Sequence, residues 1–388
     1  MNTQKKKEKL LIISPFFRPN IGGVETHLHD LCEYLRIHGY MVYVLTYQPI
    51  TTKAMGAAVE KKDNLEIRRF SWFGFNLFHK LERYPYLEFL YLTPWLLLRS
   101  FFFMLQNPGK VDVIHSHGFN ASFIANILSR VFKKRFIVST HAIYGINMHS
   151  LNAVLMKWTL NSADKILTLS KKSKKELIKF GLLESKINVY TYWVNHQIFK
   201  PMNKIEAKKK VGWYGKFIVL FVGRFIKIKG ASILLDVAGQ TQNEIHFAFI
   251  GDGPMSGNIR KSSEKMPNVI FVGKVENNEL PLYYNASDVF IIPSLYDEGF
   301  GRVILEALSC GVPVIGADKG GIPEAIDRSV SILIEPTLEN LKSAIEELYN
   351  DKRKYEMLAG NCRDYAITHF SDCNAKIIVD SYTEIAKE

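Results

Sequence analysis

The sequence predicts an α/β protein made of two doubly wound domains, each a parallel sheet covered by helices. Three observations predict it. Short apolar runs bounded by turn residues alternate with helical periodicity, the pattern of βαβ units whose strands are buried on both faces. The alternation stops at a lysine-rich stretch, residues 200–210, and then starts again. The length, 388 residues, suits two or three domains of ordinary size.

The elements follow in order. Residues 10–14 are the first strand. Val24, Leu28, Leu31 and Leu35 then recur at i, i+4, i+7 and i+11, one face of a helix that Gly39 ends. The next strand is 41–46, and later ones are 111–116, 136–140, 165–169 and 187–191, with helical segments between. In the second half, strands are expected at 217–222, 246–250, 269–272, 289–292, 312–316 and 332–334. Residues 200–210 are a linker or an exposed first helix, and from Thr337 onward the pattern is helical. The predicted domains are 1–198 and 199–370, with a terminal helix over 371–388. In such sheets ligands bind beyond the carboxyl ends of the strands, at helix N-termini.

Composition narrows the classes. With 47% hydrophobic and 23% charged residues, disorder, collagen and coiled coil are excluded. The four cysteines, Cys32, Cys310, Cys362 and Cys373, form no C-x-x-C pair and suggest reduced thiols in the cytoplasm rather than a disulfide scaffold or a metal centre. The net charge of +12 is uneven: residues 1–200 hold 28 Lys and Arg against 13 Asp and Glu, while the remainder holds 22 against 25. A basic first half suits an anionic membrane, an anionic small molecule or nucleic acid. Lys5, Lys6, Lys7 and Lys9 precede a short apolar run, but Pro15 and Arg18 close it too early for a signal peptide. Residues 86–106 approach the length of a membrane span, yet Glu88, Pro94 and Arg99 interrupt them. They are expected as helix that is buried or lies on a membrane surface, with Trp95, Leu96, Leu97, Leu98 and Phe101–Phe103 in the core. Lys61, Lys62, Arg68, Arg69, Lys133, Lys134, Arg135 and the lysines of 171–175 are expected to be exposed.

Four motifs carry the chemistry. The strongest runs from Asp297-Glu298-Gly299-Phe300-Gly301-Arg302 to Glu306-Ala307-Leu308, at a strand–loop–helix junction. Gly299 and Gly301 let backbone N–H groups approach a ligand, and the helix N-terminus suits a diphosphate. Glu306 lies about 12 Å beyond Glu298 at helical rise, so two carboxylates can meet the sugar and the ribose of one nucleotide sugar. Acidic capping of an ordinary helix would account for Glu298, though not for Glu306. Second, Val222-Gly223-Arg224 and Lys229-Gly230 leave the first strand of the second half, two cations beside a glycine turn. Third, Pro19-Asn20-Ile21-Gly22-Gly23-Val24-Glu25 follows strand one. Its glycines could meet the same diphosphate or an acceptor; a lone Gly-Gly is usually a turn. Fourth, His115-Ser116-His117-Gly118 and Thr140-His141 end two strands of the first half, where a histidine can bond a sugar hydroxyl or an acceptor. No Asp-x-Asp occurs in the chain. A divalent ion on a diphosphate usually needs such carboxylates, so no metal and no cofactor are expected.

With these motifs in order, the chain resembles the family 4 retaining glycosyltransferases of GT-B fold, two Rossmann-like domains facing each other across a cleft. The resemblance spans nearly the whole chain and includes Gly320-Gly321-Ile322-Pro323-Glu324. It implies that residues 1–198 bind the acceptor, that 199–370 bind a nucleotide-diphosphate sugar, and that 371–388 cross back to the first domain. It implies that Arg224 and Lys229 hold the diphosphate, Glu306 the ribose, and Glu298 with the backbone of Gly299, Phe300 and Gly301 the donor sugar. Gly22 and Gly23 would meet the β-phosphate, Val275 would lie near the base, and His117 would line the reaction centre, where front-face displacement retains configuration. His141 is a candidate on the acceptor side. The N-terminal segment is faintly similar to the subunit that attaches N-acetylglucosamine to phosphatidylinositol, a hint of a lipid-linked acceptor. The chain departs from the family at residues 189–195, VYTYWVN, where Trp193 replaces a glycine and Asn195 an acidic residue, and at Arg302, which could touch donor or solvent.

The expected activity is hexosyl or N-acetylhexosaminyl transfer to a lipid-linked or saccharide acceptor in envelope glycan or glycolipid synthesis, with peripheral contact to an anionic membrane. The alternatives are a GT-B nucleotide-sugar epimerase, which would need an acid–base pair around the sugar, and a basic nucleic-acid-binding protein. No nucleic acid is expected as partner, because no recognition motif appears and the charge is diffuse.

Overall fold

The computed structural model describes residues 7–81, 83–143, 145, 151–242 and 244–385, with only the backbone of Leu151; Lys5 and Lys6 lie outside the described residues. The chain forms two compact units, residues 1–190 with 374–388, and residues 191–373.

In the first unit the strands are β1 (Lys9–Ile13), β2 (Met41–Tyr47), β3 (Val59–Lys62), β4 (Leu65–Phe70), β5 (Val113–His117), β6 (Arg135–Ser139), β7 (Lys165–Thr168) and β8 (Ile187–Val189). They lie in the order β3-β4-β2-β1-β5-β6-β7-β8. All neighbours are parallel except β3, which runs antiparallel to β4. The buried strands are those that read as apolar runs: Leu10 to Ile13 are fully covered. The β3–β4 hairpin is absent from the sequence prediction. Every residue of β3 is exposed, and β4 reads LEIRRF, with Arg69 only 6% exposed and ion-paired to Glu60 at 2.9 Å. Arg68 pairs with Glu66 at 2.6 Å. Arg69 is therefore a sheet residue rather than part of an exposed basic run, while Lys61 and Lys62 are exposed.

The second unit holds β9 (Phe217–Val222), β10 (Ile245–Ile250), β11 (Val269–Gly273), β12 (Val289–Ile292), β13 (Val314–Ala317) and β14 (Ser331–Ile334). The sheet is parallel throughout, in the order β11-β10-β9-β12-β13-β14. Each sheet reverses its winding once, between β1 and β5 in the first and between β9 and β12 in the second. At such a switch point, adjacent loops leave in opposite directions and open a crevice.

The junction between units falls at 190/191, eight residues before the expected 198/199. Residues 191–200 bond to the second unit: the Val194 N–H donates to the Phe370 carbonyl, and the Arg363 guanidinium donates to the carbonyls of Phe199, His196 and Ser309. The departures at 193 and 195 are absorbed there. Trp193 is buried, and the Asn195 side chain accepts from the Gln197 N–H at 2.9 Å, the turn-forming bond that an aspartate would also make. The helix Lys204–Val211 follows, and its Lys204 and Lys208 pair with the buried Asp288. At the other end, the helix Ala375–Glu384 belongs to the first unit, where the Tyr382 hydroxyl lies 2.7 Å from His115 Nδ1.

The apolar stretch forms two helices, Pro85–Leu92 and Pro94–Gln106. Together they have the length and composition to cross a membrane, at mean hydropathy 1.3. Their core share is smaller than expected. Leu96 and Phe103 are buried and Trp95, Leu97 and Phe101 pack partly against the core, but Leu98 is 44% and Phe102 49% exposed.

Candidate functional site

In the second unit, parallel pairing brings the carboxyl ends of β9 to β13 to one edge of the sheet, and most of the predicted residues leave from that edge. The exit of β9 carries Gly223, the half-buried Arg224, Lys229 and Gly230. That of β12 carries 293–301, and that of β13 carries 318–321. The first two loops are bonded together. The Leu295 N–H donates to the Ile228 carbonyl at 2.8 Å, and Gly230, at φ +82°, sits so close to the Pro293 carbonyl that a Cβ would collide with it. Only glycine combines that left-handed turn with that approach, and the approach sets Lys229 beside Glu298.

Glu298, 6% exposed, is held on both oxygens. Oε1 accepts from Ser294 Oγ at 2.6 Å and lies 2.5 Å from Lys229 Nζ. Oε2 accepts from the Tyr296 hydroxyl at 2.8 Å. The Lys229 ammonium also lies 5.1 Å from the centre of the Tyr296 ring. The glycine pair at 320–321 fixes the main chain from the other side: the Gly321 N–H donates to the Glu298 carbonyl at 2.8 Å, and the Gly320 N–H to Asp297 Oδ1 at 2.9 Å. Arg224 is placed by its neighbours, since the Phe225 N–H donates to the Asp252 carbonyl at the adjacent β10 exit. Val275 follows Gly273 at the exit of β11 and is half-buried.

The rest of the glycine-loop motif differs from the linear picture. The helix begins at Arg302, capped by Gly301 at φ +87°, so the offset from Glu298 to Glu306 is not a straight helical rise. Glu306 is buried, with Oε2 accepting from the Tyr284 hydroxyl at 3.0 Å and Oε1 facing Arg302 Nε at 3.4 Å. Burial, and then the Glu306 charge, push the Tyr284 phenol well above its ordinary value, so it remains a donor. Arg302 is itself buried and pairs one turn along its own helix rather than reaching solvent. The Phe300 side chain, 1% exposed, packs edge-on against Tyr192 and Phe370, which leaves its main chain for a ligand. Gly299 is buried between Glu298 and Phe300 in the same loop.

In the first unit, the switch point lies between β1, which leads to Gly22 and Gly23, and β5, which ends in His117. Gly23 opens the helix Gly23–Ile37, and Gly22 lies against the Glu25 carboxylate, whose pKa burial raises. His117 is 2% exposed. Its Nδ1 is 3.0 Å from His141 Nε2, with the rings stacked, and its Nε2 is buried with no hydrogen-bond partner among the described residues. His141, half-buried, is thus stacked on the more deeply buried His117. His115 Nε2 is 2.8 Å from Ser139 Oγ, and the His115 and His117 ring centres are 4.2 Å apart. Burial pushes His115 and His141 down to about 3 and His117 well below its ordinary value, so all three are neutral near pH 7. Among the described residues, no three His, Cys, Asp or Glu side chains gather as metal ligands would.

Sequence reasoning missed Ser294 and Tyr296. The available signal was two hydroxyl-bearing residues within four positions of Glu298, in a loop that follows a fully buried strand.

Matches to known proteins span nearly the whole chain. The family described as Glycosyltransferase Family 4 matches residues 21–197, and that described as Glycosyl transferases group 1 matches residues 203–365. The chain belongs to the family 4 glycosyltransferases. It is a glycosyltransferase, and the epimerase alternative falls, because the matching families and relatives are transferases. The GPI3 subunit of the phosphatidylinositol N-acetylglucosaminyltransferase of Saccharomyces cerevisiae is 23% identical over 395 residues, covering 97% of this chain and 83% of its own. Among solved structures, a sucrose-phosphate synthase from Thermosynechococcus elongatus has a TM-score of 0.82 at 20% identity, covering 98% of this chain and 100% of its own. HepE of Anabaena in complex with UDP-glucose has a TM-score of 0.78 at 20% identity, covering 98% and 99%. These likenesses carry the GT-B fold of the family 4 glycosyltransferases.

Proposed function

We propose that this glycosyltransferase moves a hexosyl or N-acetylhexosaminyl group from a nucleoside-diphosphate sugar to the hydroxyl of a lipid-linked acceptor, with retention and without a metal ion. The observation that carries the donor reading is the contact of Lys229 with Glu298, 2.5 Å apart, at the switch point of the second sheet. A cation and a carboxylate so placed suit a leaving diphosphate and a sugar hydroxyl respectively. The anomeric carbon–phosphate oxygen bond breaks, a bond to the acceptor oxygen forms on the same face, and the acceptor proton passes to the leaving phosphate oxygen. Arg224 and Lys229 supply the positive charge that the diphosphate requires. His117, whose neutral Nε2 has no partner among the described residues, offers a hydrogen bond to an acceptor bound by the first unit. The donor reading is supported by the UDP-glucose in the related HepE, and the lipid acceptor by the phosphatidylinositol in the name of the yeast relative. The exposed Leu98, Phe102 and Leu105, beside a first half of strongly basic composition, support peripheral membrane contact on the cytoplasmic side.

The test is a thermal-shift screen of nucleotide sugars, then product analysis with lipid and glycan acceptors, with the product anomer assigned by NMR and with EDTA present. Lys229→Ala and Glu298→Ala are expected to lower turnover about 10²-fold or more while the protein stays folded. Unchanged turnover in both would remove the donor assignment.

A further inference from the structure

We propose that Tyr296 is a positioning residue of the donor site, holding the Glu298 carboxylate and the Lys229 ammonium in one geometry; the inference builds on the donor reading above. Glu298 Oε1 is engaged by Ser294 and Lys229. Two contacts on one oxygen leave the carboxylate plane able to turn about its terminal torsion, which is broad for glutamate. The Tyr296 hydroxyl, 2.8 Å from Oε2, removes that freedom and fixes which oxygen faces the ligand edge of the sheet.

Tyr296 acts on the second charged group with its ring. Lys229 Nζ lies 5.1 Å from the ring centre, within range of cation–π attraction. A lysine side chain is long and freely rotating, so a face that attracts its head narrows where the charge stands. One residue therefore touches both groups. Its own placement is rigid: the preceding Leu295 donates its N–H to the Ile228 carbonyl and accepts from Lys319 Nζ at 3.3 Å. Burial, then the Glu298 charge, push the Tyr296 phenol up, so it stays protonated as a donor through the whole working pH range. Positioning within a fraction of an ångström is what a site for a reacting sugar needs.

The test uses the full chain, with UDP, UDP-glucose and UDP-N-acetylglucosamine as probes in calorimetry and with steady-state turnover of the nucleotide sugars. Tyr296→Phe is expected to keep UDP affinity within about twofold, because the Lys229–ring contact survives. Affinity or kcat for the nucleotide sugar is expected to fall about tenfold. Tyr296→Leu, which also removes the ring, is expected to weaken UDP several-fold as well. In a Glu298→Gln background, Tyr296→Phe is expected to add less than a twofold effect, because residues acting through one another are not additive. Wild-type-like donor binding and turnover in Tyr296→Phe, full additivity with Glu298→Gln, or equal losses for UDP and nucleotide sugar with a lowered Tm would each overturn the inference. Failure of the wild-type chain to bind these probes or any other nucleoside diphosphate or nucleotide sugar of the thermal-shift screen would bring down the donor reading and this inference together. Binding with an unresponsive Tyr296 removes the inference alone.

Discussion

Glu298 shows how a single carboxylate becomes a tool rather than a helix cap. Its side chain does not bond the N-termini of the helix that follows; Ser294, Tyr296 and Lys229 take its oxygens instead. Lys229 owes its position to the residue after it. At Gly230 a side chain would face a positive φ and a collision with the Pro293 carbonyl at once. Gly230→Ala is therefore expected to destabilise the protein by about 1–3 kcal/mol and to weaken UDP binding further than the lost stability accounts for, as read by urea titration alongside calorimetry. A folded Gly230→Ala protein with wild-type UDP affinity would show that the close approach of the two loops does not place Lys229.

At the scale of elements, the apolar helices Pro85–Leu92 and Pro94–Gln106 divide their surface. Leu96, Ser100, Phe103 and Met104 face the core, while Leu98, Phe102 and Leu105 recur three and four residues apart on the outside, one stripe of the helix. An unpaired apolar stripe on a basic unit suits an anionic bilayer surface. Leu98→Asp with Phe102→Asp is expected to leave Tm nearly unchanged and to cut co-sedimentation with anionic vesicles several-fold, with wild-type binding falling as salt rises. Equal binding to neutral vesicles would count against the electrostatic part. The strands tell the complementary story. Those buried on both faces, such as β9 and β12, lie at the residues where apolar runs predict them. The β3–β4 hairpin does not read from sequence because its outer strand has no buried face and is held by pairing to its neighbour, which local hydrophobicity does not encode.

At the scale of the molecule, the terminal helix Ala375–Glu384 belongs to the first unit and packs its Tyr382 on His115. His115 is fully buried, and burial lowers its pKa from 6.5 to about 3. The unfolded chain therefore takes up a proton below pH 6.5 that the folded chain refuses until about pH 3. Stability is complete above pH 6.5 and falls as the pH drops toward 3, by up to about 1.4 kcal/mol per pH unit for such a histidine. Urea midpoints are expected to drop between pH 7.5 and pH 5, and His115→Gln, which keeps hydrogen bonding without titrating, is expected to flatten the slope. An equal slope in the variant would place the proton uptake elsewhere.

The sequence by itself determined the two α/β units and the strands around the candidate site, because buried parallel strands leave local signatures that need no partner to be read; Arg224, Lys229, Glu298 and His117 read as candidates at glycine turns and strand ends, and took their expected roles from the family resemblance. Only the tertiary structure decided what those side chains touch. Glu306 is drawn inward by Tyr284, Arg302 folds back onto its own helix, His141 stacks on His117, and Tyr296 joins Glu298 and Lys229. Hydrogen bonds between residues distant in sequence depend on the three-dimensional approach of loops, and no periodicity along one chain records that approach.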